Sequence, residues 1–144
     1  MNSEITTNIL KRYYGVSEVP GEKSNPIILK WIQAFIPGTK DDSAISWCSI
    51  GLSEVCKDLG YQRSTSASAR SWLTVGENTI TPDLDDVVVL WRNNPSSWQG
   101  HVGLFIRRDA NHIWLLGANQ MDSWSIQKFD IKRVLGYRRL KKIK

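Results

Sequence analysis

The sequence predicts an α+β fold: N-terminal helices packed on one face of a C-terminal antiparallel sheet of about five strands. Three observations predict it. Residues 3–60 carry apolar side chains at helical spacing between capping and breaking residues. From Asp86 onward the apolar runs are short, β-branched and separated by turn signals. The two patterns follow one another rather than alternate, which argues against βαβ units.

Ser3 to Tyr14 reads as the first helix, with Ser3 as its cap, a stripe of Ile5, Ile9, Leu10 and Tyr13, and Gly15 as its end. Pro20-Gly21 marks a turn in the following loop. Asn25-Pro26 reads as a cap with proline at the first helical position, opening a second helix over Ile27 to Phe35 that Pro37-Gly38 stops. Lys40 to Ile45 is a polar approach to a third helix, Trp47 to Leu59, closed by Gly60. Ala67 to Leu73 reads as a short helix carrying Arg70 and Trp72. Five strands follow: Asp86 to Trp91 after a Pro82-Asp83 turn, His101 to Arg107, His112 to Leu116 after an Asp109-Ala110-Asn111 hairpin, Ser123 to Phe129, and Val134 to Leu140. With no repeat or linker between them, residues 1–144 read as one catalytic-sized domain with a real core.

Composition narrows the class. Apolar content of 41% and seven Trp suit a packed globular protein, with most of the Trp expected in the core. The net charge is +5, and Lys128 to Lys144 holds eight Lys or Arg against one acid, Asp130. That stretch reads either as a solvated basic tail or as a patch for an anionic partner: nucleic acid, anionic lipid or wall polymer. The two cysteines, Cys48 and Cys56, lie eight residues apart on one predicted helix. A helical rise of about 12 Å over that spacing is too long for a disulfide. Free thiols fit a reducing compartment or a catalytic role. The N-terminus shows no basic segment followed by an apolar core, and no run reaches membrane-span length. The expectation is synthesis in the cytoplasm without a signal peptide.

The chemistry centres on Cys48. At the mouth of a helix a thiol meets unbonded backbone N–H groups and the positive end of the helix dipole, both of which favour thiolate. Cys56, two turns deeper on the same apolar stripe, reads as a buried structural thiol. Of the two histidines, His112 sits at a hairpin tip beside Asn111 and reads as solvated. His101 opens a strand and is the candidate base, with Gly103 on the same strand face leaving room for the cysteine helix. A third group must hold the imidazole: Asn119, or Gln120, since the register is open. The N–H of Cys48 is a natural oxyanion donor. Asp41 and Asp42 precede it as a weak cation signal, for which a solvated loop is the better reading, so no metal and no cofactor are expected. Cysteine, then histidine, then a polar amide is the order of a papain-like hydrolase.

Four stretches then carry a resemblance: Trp47-Cys48-Ser49 at a helix start, the proline-acid-strand unit from Pro82 to Trp91, Gly100-His101-Val102-Gly103-Leu104-Phe105, and Leu115-Leu116-Gly117-Ala118-Asn119-Gln120. In this order they resemble the CHAP and NlpC-type cysteine peptidase superfamily, most closely its small single-domain phage and bacterial members. Gly15-Val16-Ser17-Glu18-Val19-Pro20-Gly21 with Asn25-Pro26-Ile27 resembles the N-terminal segment of those proteins, so the likeness covers most of the chain. The resemblance implies a papain-like fold and cleavage of an amide bond in bacterial peptidoglycan, as an endopeptidase or amidase. It implies Cys48 as nucleophile, His101 as base and Asn119 as third member, with Trp47, Trp98, Gln120 and also Trp124 about the cleft. Relatives often show proline before the Trp and alanine after the Cys, where this chain has Ser46 and Ser49. They commonly open the first strand with Gly-Asp, where this chain has Asp85-Asp86. Both departures leave groove shape and substrate choice open.

The expected role is a phage endolysin-like lysis protein, a monomer reaching peptidoglycan through a pore or by a secretion system. Two other classes stand beside it. One is an interbacterial toxin or acyltransferase on the same fold. The other is a basic, aromatic-rich nucleic-acid-binding module, against which stand the lack of an interleaved basic–aromatic strand and of a zinc-ligand set.

Overall fold

The computed structural model describes residues 3–14, 30, 47–97, 99–120 and 123–143. The first helix, α1, spans Glu4–Arg12 and buries Ile5, Thr6 and Ile9. Ser3 occupies the cap position but its side chain makes no capping bond. Asp85, eighty residues away, takes that part. Its carboxylate accepts from the N–H groups of Ile5 (3.0 Å) and Thr6 (2.7 Å) and from the Thr6 hydroxyl (2.6 Å). Those N–H groups have no partner within the helix, and the negative charge sits at the positive end of its dipole. Asp85 reaches them from a left-handed backbone, φ 70°. The helix predicted over Ile27 to Phe35 lies outside the described residues apart from Lys30, as does the approach loop Lys40 to Ile45.

The next described helix, α2, spans Cys48–Leu59. Gly60 ends it at φ 80°, and the N–H of Tyr61 closes onto the carbonyl of Cys56 at 2.9 Å. Only glycine adopts that backbone at no cost, so the expected closure at Gly60 is met. A 3-10 helix, Ala69–Thr74, replaces the short helix expected there. Its buried Trp72 donates its indole N–H to Ser49 Oγ (2.8 Å), and Ser49 donates to the Ser66 carbonyl (2.7 Å). One serine thus joins α2, the loop after it and the 3-10 turn.

The sheet has six strands: β1 Glu77–Thr79, β2 Val87–Trp91, β3 Gly100–Arg108, β4 His112–Gln120, β5 Ser123–Asp130 and β6 Val134–Arg139, in spatial order β1-β6-β2-β3-β4-β5. All the pairings are antiparallel. The five expected strands are present, and β1 is an additional three-residue edge strand. The expected meander holds from β2 to β5. It fails at β6, which returns to pair with β2. Only a short turn of 3-10 helix, Ile131–Arg133, joins β5 to β6, so the sheet must curl to bring the end of β5 under the end of β2. Two bonds secure that crossing: the Trp91 indole donates to the Lys132 carbonyl (3.2 Å), and Arg133 Nε donates to the Trp91 carbonyl (3.1 Å).

Alternation along the strands then builds two cores. On the helical face, α1, α2 and Trp72 cover Val87, Val89, Val102, Leu104, Leu116 and Ala118. On the far face, Val88, Leu90, Phe105, Ile113 and Leu115 meet Phe129, Ile131, Val134 and Tyr137 across the curl. β2 is covered on both faces, which is why it is an unbroken apolar run, Val87 to Leu90.

The basic C-terminal stretch is a strand with partners rather than a solvated tail. Arg139 pairs with Asp86 at 2.7 Å, Lys141 with Glu77 at 2.8 Å and Lys142 with Glu4 at 3.0 Å. Arg138 donates to the carbonyls of Val75 and Gly76. No helix among the described residues is long and apolar enough to cross a membrane.

Candidate active site

Cys48 is the first residue of α2, with Trp47 at the cap position. The helical ladder begins with the N–H of Gly51 bonding the Trp47 carbonyl at 2.8 Å, so the N–H of Cys48 lies outside it. The residue is 3% exposed and lines a cleft of about 230 Å³ with Ala67, Ser68, Ala69, Arg92, Gln99 and Gly100. The cysteine is therefore at a helix mouth, on the helical face, opposite the first residue of β3. Cys56 is wholly buried, and burial pushes its thiol far up, with the Asp85 charge adding to the effect. Both cysteines are free thiols. One helix thus holds a cysteine that lines a cleft and a cysteine sealed in the core.

The far wall of the cleft is the β2–β3 loop, and Arg70 holds it. Arg70 donates to the carbonyls of Gln99 (2.8 Å), Pro95 (2.9 Å) and Asn94 (3.2 Å). Asn93 adds a side-chain bond to Gln99 from a left-handed backbone, φ 70°. A side chain at Gly100 would come within 2.8 Å of the Leu90 carbonyl and 3.2 Å of Arg70 Cγ, so only glycine fits there.

His101 is placed on the other side of the strand. It is paired with Leu90, a residue of the far-face core, while its neighbours Val102 and Leu104 belong to the core that contains Cys48. It is 2% exposed, and its ring lies 5.4 Å from that of Phe129. His101 therefore follows Gly100 of the cleft directly, and its ring lies on the strand face that Leu90 and Phe129 share. The room expected at Gly103 for the cysteine helix serves a different neighbour. A Cβ there would meet Leu115 Cβ and the Leu116 carbonyl, each at 3.1 Å, both on β4 rather than on the cysteine helix. The close approach of the helix is made at Gly51, where a Cβ would come within 2.9 Å of Ala118 Cβ, 3.2 Å of Trp124 and 3.3 Å of Trp47.

Asn119 and Gln120 are the last residues of β4, which runs four residues beyond the predicted end at Leu116. The β3–β4 register sets Leu104 opposite Leu116. The matched pairs of that ladder end at Leu104 and Leu116, and Asn119 and Gln120 continue β4 beyond them, with Gln120 opposite Ser123 of β5. Trp47 and Trp124 are fully buried and meet edge-on, ring centres 6.4 Å apart, so they form core beneath the cleft and not its wall. Trp98, Asp41 and Asp42 lie outside the described residues. His112 is half-buried, 3.9 Å from Asp109 and edge-on to Trp114, at the end of the sheet away from the cleft.

Sequence reasoning missed the residues that shape the cleft. Arg92 follows β2 directly and was visible only as a cation before an Asn-Asn-Pro turn. Arg70 was placed on its short helix, but nothing in its position announced a loop clamp reaching 29 residues along the chain. Other arginines lie over the chain's own rings: Arg107 at 3.6 Å from the centre of Trp114, and Arg108 at 5.3 Å from that of Tyr137. Among the described residues no group of three or more His, Cys, Asp or Glu is placed to share a metal ion. Comparison of the chain with protein-family models, with curated proteins and with solved structures finds no match in any of the three.

Proposed function

We propose that the chain is a cysteine-dependent hydrolase of amide bonds in bacterial cell-wall peptides, with a papain-like arrangement of the CHAP and NlpC type. The observation that carries this reading is the position of Cys48: first residue of a helix, in a cleft whose opposite wall begins the strand bearing His101. Cys48 is the nucleophile, and its thiolate is favoured by the helix terminus. It attacks the amide carbonyl, and the Cys48 N–H steadies the oxyanion. The leaving amine takes a proton from His101, and water then cleaves the thioester to release the acid and restore the thiol. In this reading Asn119, at the end of β4, orients the imidazole.

Capture of the thioester by an amine in place of water would make the same centre an acyltransferase. The biological setting in this reading is a lysis protein made in the cytoplasm that meets peptidoglycan through a pore or by secretion, and a toxin with the same chemistry would meet it by the second route.

The test uses purified peptidoglycan with wild type, Cys48→Ala and His101→Ala. Wild type is expected to lower turbidity and release fragments with new amine ends by mass spectrometry, and both variants are expected to lose at least about a hundredfold in rate. Clearing by Cys48→Ala at the wild-type rate would overturn the thiol mechanism. Full activity in His101→Ala would remove the histidine and leave the thiol. No clearing of any wall type by folded wild type would end the wall-hydrolase reading.

A further inference from the structure

We propose that the 3-10 helix Ala69–Thr74 is a spacer that sets the width of the Cys48 cleft, and that Arg70 is the positioning residue through which it holds the far wall. The inference rests on the reading of the cleft as a thiol site, and it names what keeps that site at one width. A 3-10 helix has three residues per turn, so residues three apart lie on one row. This one therefore offers two rows, Ala69 with Trp72 and Arg70 with Leu73, and each row meets a different layer.

The first row meets the cysteine helix. Ala69 and Trp72 are buried in the core that contains Cys48. Trp72 donates its indole N–H to Ser49 Oγ at 2.8 Å, and Ser49 directly follows Cys48. Ala69 also lines the cleft. The second row sits on the sheet over two glycines. A Cβ at Gly136 of β6 would come within 3.1 Å of Leu73 Cδ2, and one at Gly100 of β3 within 3.2 Å of Arg70 Cγ. The spacer is thus seated tightly on the sheet and bonded to the helix.

Beyond Gly100, Arg70 reaches the loop that forms the far wall. That loop is bonded to itself. The N–H of Ser97 bonds the Asn94 carbonyl (3.2 Å), Ser97 Oγ donates to the Arg92 carbonyl (2.6 Å), and the N–H of Ser96 bonds Asn94 Oδ1 (2.9 Å). A segment bonded in this way moves as one piece. Among the described residues, Arg70 is the one side chain from outside the loop that bonds it, with donors on the carbonyls of Gln99, Pro95 and Asn94. A planar charged fork can hold several oxygens in fixed directions, which a single ammonium cannot. Arg70 therefore sets the position of the wall, and Trp72 ties the segment that carries Arg70 to the helix that starts with Cys48. In an active site, misplacing a group by about 1 Å can cost about a hundredfold in rate.

Two maleimides that share one reactive ring and differ in bulk test this without turnover: N-methylmaleimide and N-pyrenylmaleimide. Alkylation of the folded protein is read at Cys48 by peptide mapping, with the wholly buried Cys56 as internal control. Wild type is expected to favour the small reagent. In Arg70→Ala the bulky-to-small rate ratio at Cys48 is expected to rise about fivefold with Cys56 still unlabelled, because the wall is released locally and the fold does not open. Arg70→Lys should fall between, since one ammonium restores part of the grip. Trp72→Phe keeps an aromatic ring and removes the N–H, and it should raise the ratio by a smaller factor. An unchanged ratio in Arg70→Ala overturns the spacer. So does a rise that Cys56 shares, which would mean that the whole fold has loosened. Failure of the small reagent to alkylate Cys48 in folded wild type overturns the thiol cleft and the spacer together. Neither reagent needs a substrate, so wall hydrolysis can fail its own test while a raised ratio in Arg70→Ala still supports the spacer.

Discussion

The two faces of the sheet are built on opposite principles. The helical face is assembled from separate pieces, α1, α2 and the Trp72 turn, and polar anchors hold them: Asp85 on α1, Ser49 between α2 and Trp72, Arg70 on the β2–β3 loop. Small residues set their distances, Gly51 on Ala118 and Gly100 under Arg70. Among the described residues the far face has no such pieces. Its core is the sheet's own apolar side chains, closed by the curl that brings Phe129, Ile131 and Val134 across, and the buried His101 ring lies against Phe129. A face made of anchored pieces leaves gaps between them, and the Cys48 cleft is one. Residues one position apart on β3, Gly100 and His101, therefore have different surroundings: cleft on one side, packed rings on the other.

That contrast predicts that the far face governs stability and leaves the cleft alone. Leu90 is fully buried there, between β3 and β6. Leu90→Ala is expected to cost about 3 kcal/mol in denaturant unfolding, the ordinary loss for a buried leucine that leaves a cavity. The alkylation rate of Cys48 in the folded protein is expected to stay within about twofold of wild type, since the Leu90 side chain lies in the far-face core and Cys48 in the other. A large change in cysteine reactivity alongside the loss of stability would show that the two faces are one mechanical unit.

The helical face makes the opposite prediction, because its pieces can loosen singly. Asp85→Ala removes three hydrogen bonds to α1 and leaves two buried N–H groups and a hydroxyl without their acceptor. A loss of about 2 kcal/mol is expected, the sum of a lost cap and of an alanine placed at positive φ. Asp85→Asn keeps the backbone preference and one acceptor oxygen, so its loss should be smaller. Hydrogen exchange should show protection lost first in α1 and retained in β2 to β4. Uniform loss across the chain would mean that α1 is an integral part of the sheet's core, not an anchored piece.

The sequence was legible where one local rule decides. Apolar spacing and Gly60 marked the cysteine helix nearly to the residue, and alternation with turn residues marked five of the six strands. It was illegible where the answer depends on what the neighbour does. Ser3 looked like a cap, but a carboxylate from the turn before β2 displaces it, and no local signal announces a partner eighty residues away. The return of β6 to β2 is a matter of sheet curl, not of strand propensity. The site shows the same division. Cys48 at a helix mouth follows from spacing, whereas the side of β3 from which His101 projects depends on register, and a shift of one residue reverses it. Trp47 beside a cysteine read as cleft wall because adjacency in sequence says nothing about which side of a helix cap faces solvent.

The smallest expected effect tests how tightly the helical face is set. Gly51→Ala adds one methyl group at 2.9 Å from Ala118 Cβ, closer than real Cβ contacts come, with Trp124 and Trp47 at 3.2 and 3.3 Å behind it. Two terms oppose each other. Alanine in a helix interior is worth about 1 kcal/mol over glycine. Overpacking against fully buried rings costs about 2 kcal/mol, since neither indole has space to retreat. The net expectation is a loss of about 1 kcal/mol. Ala118→Gly in the same chain removes the methyl on the other side of the contact, so the double variant should recover most of the overpacking loss as a coupling of about 1 kcal/mol. The same pair reads the site. If α2 must back away from β4 to admit the methyl, Cys48 moves with it relative to Gly100, and its alkylation rate should change in Gly51→Ala and return in the double variant. A stabilising Gly51→Ala with an unchanged thiol would mean that the helix has slack against the sheet, and that the cleft width is set by the loop Arg70 holds rather than by the glycine.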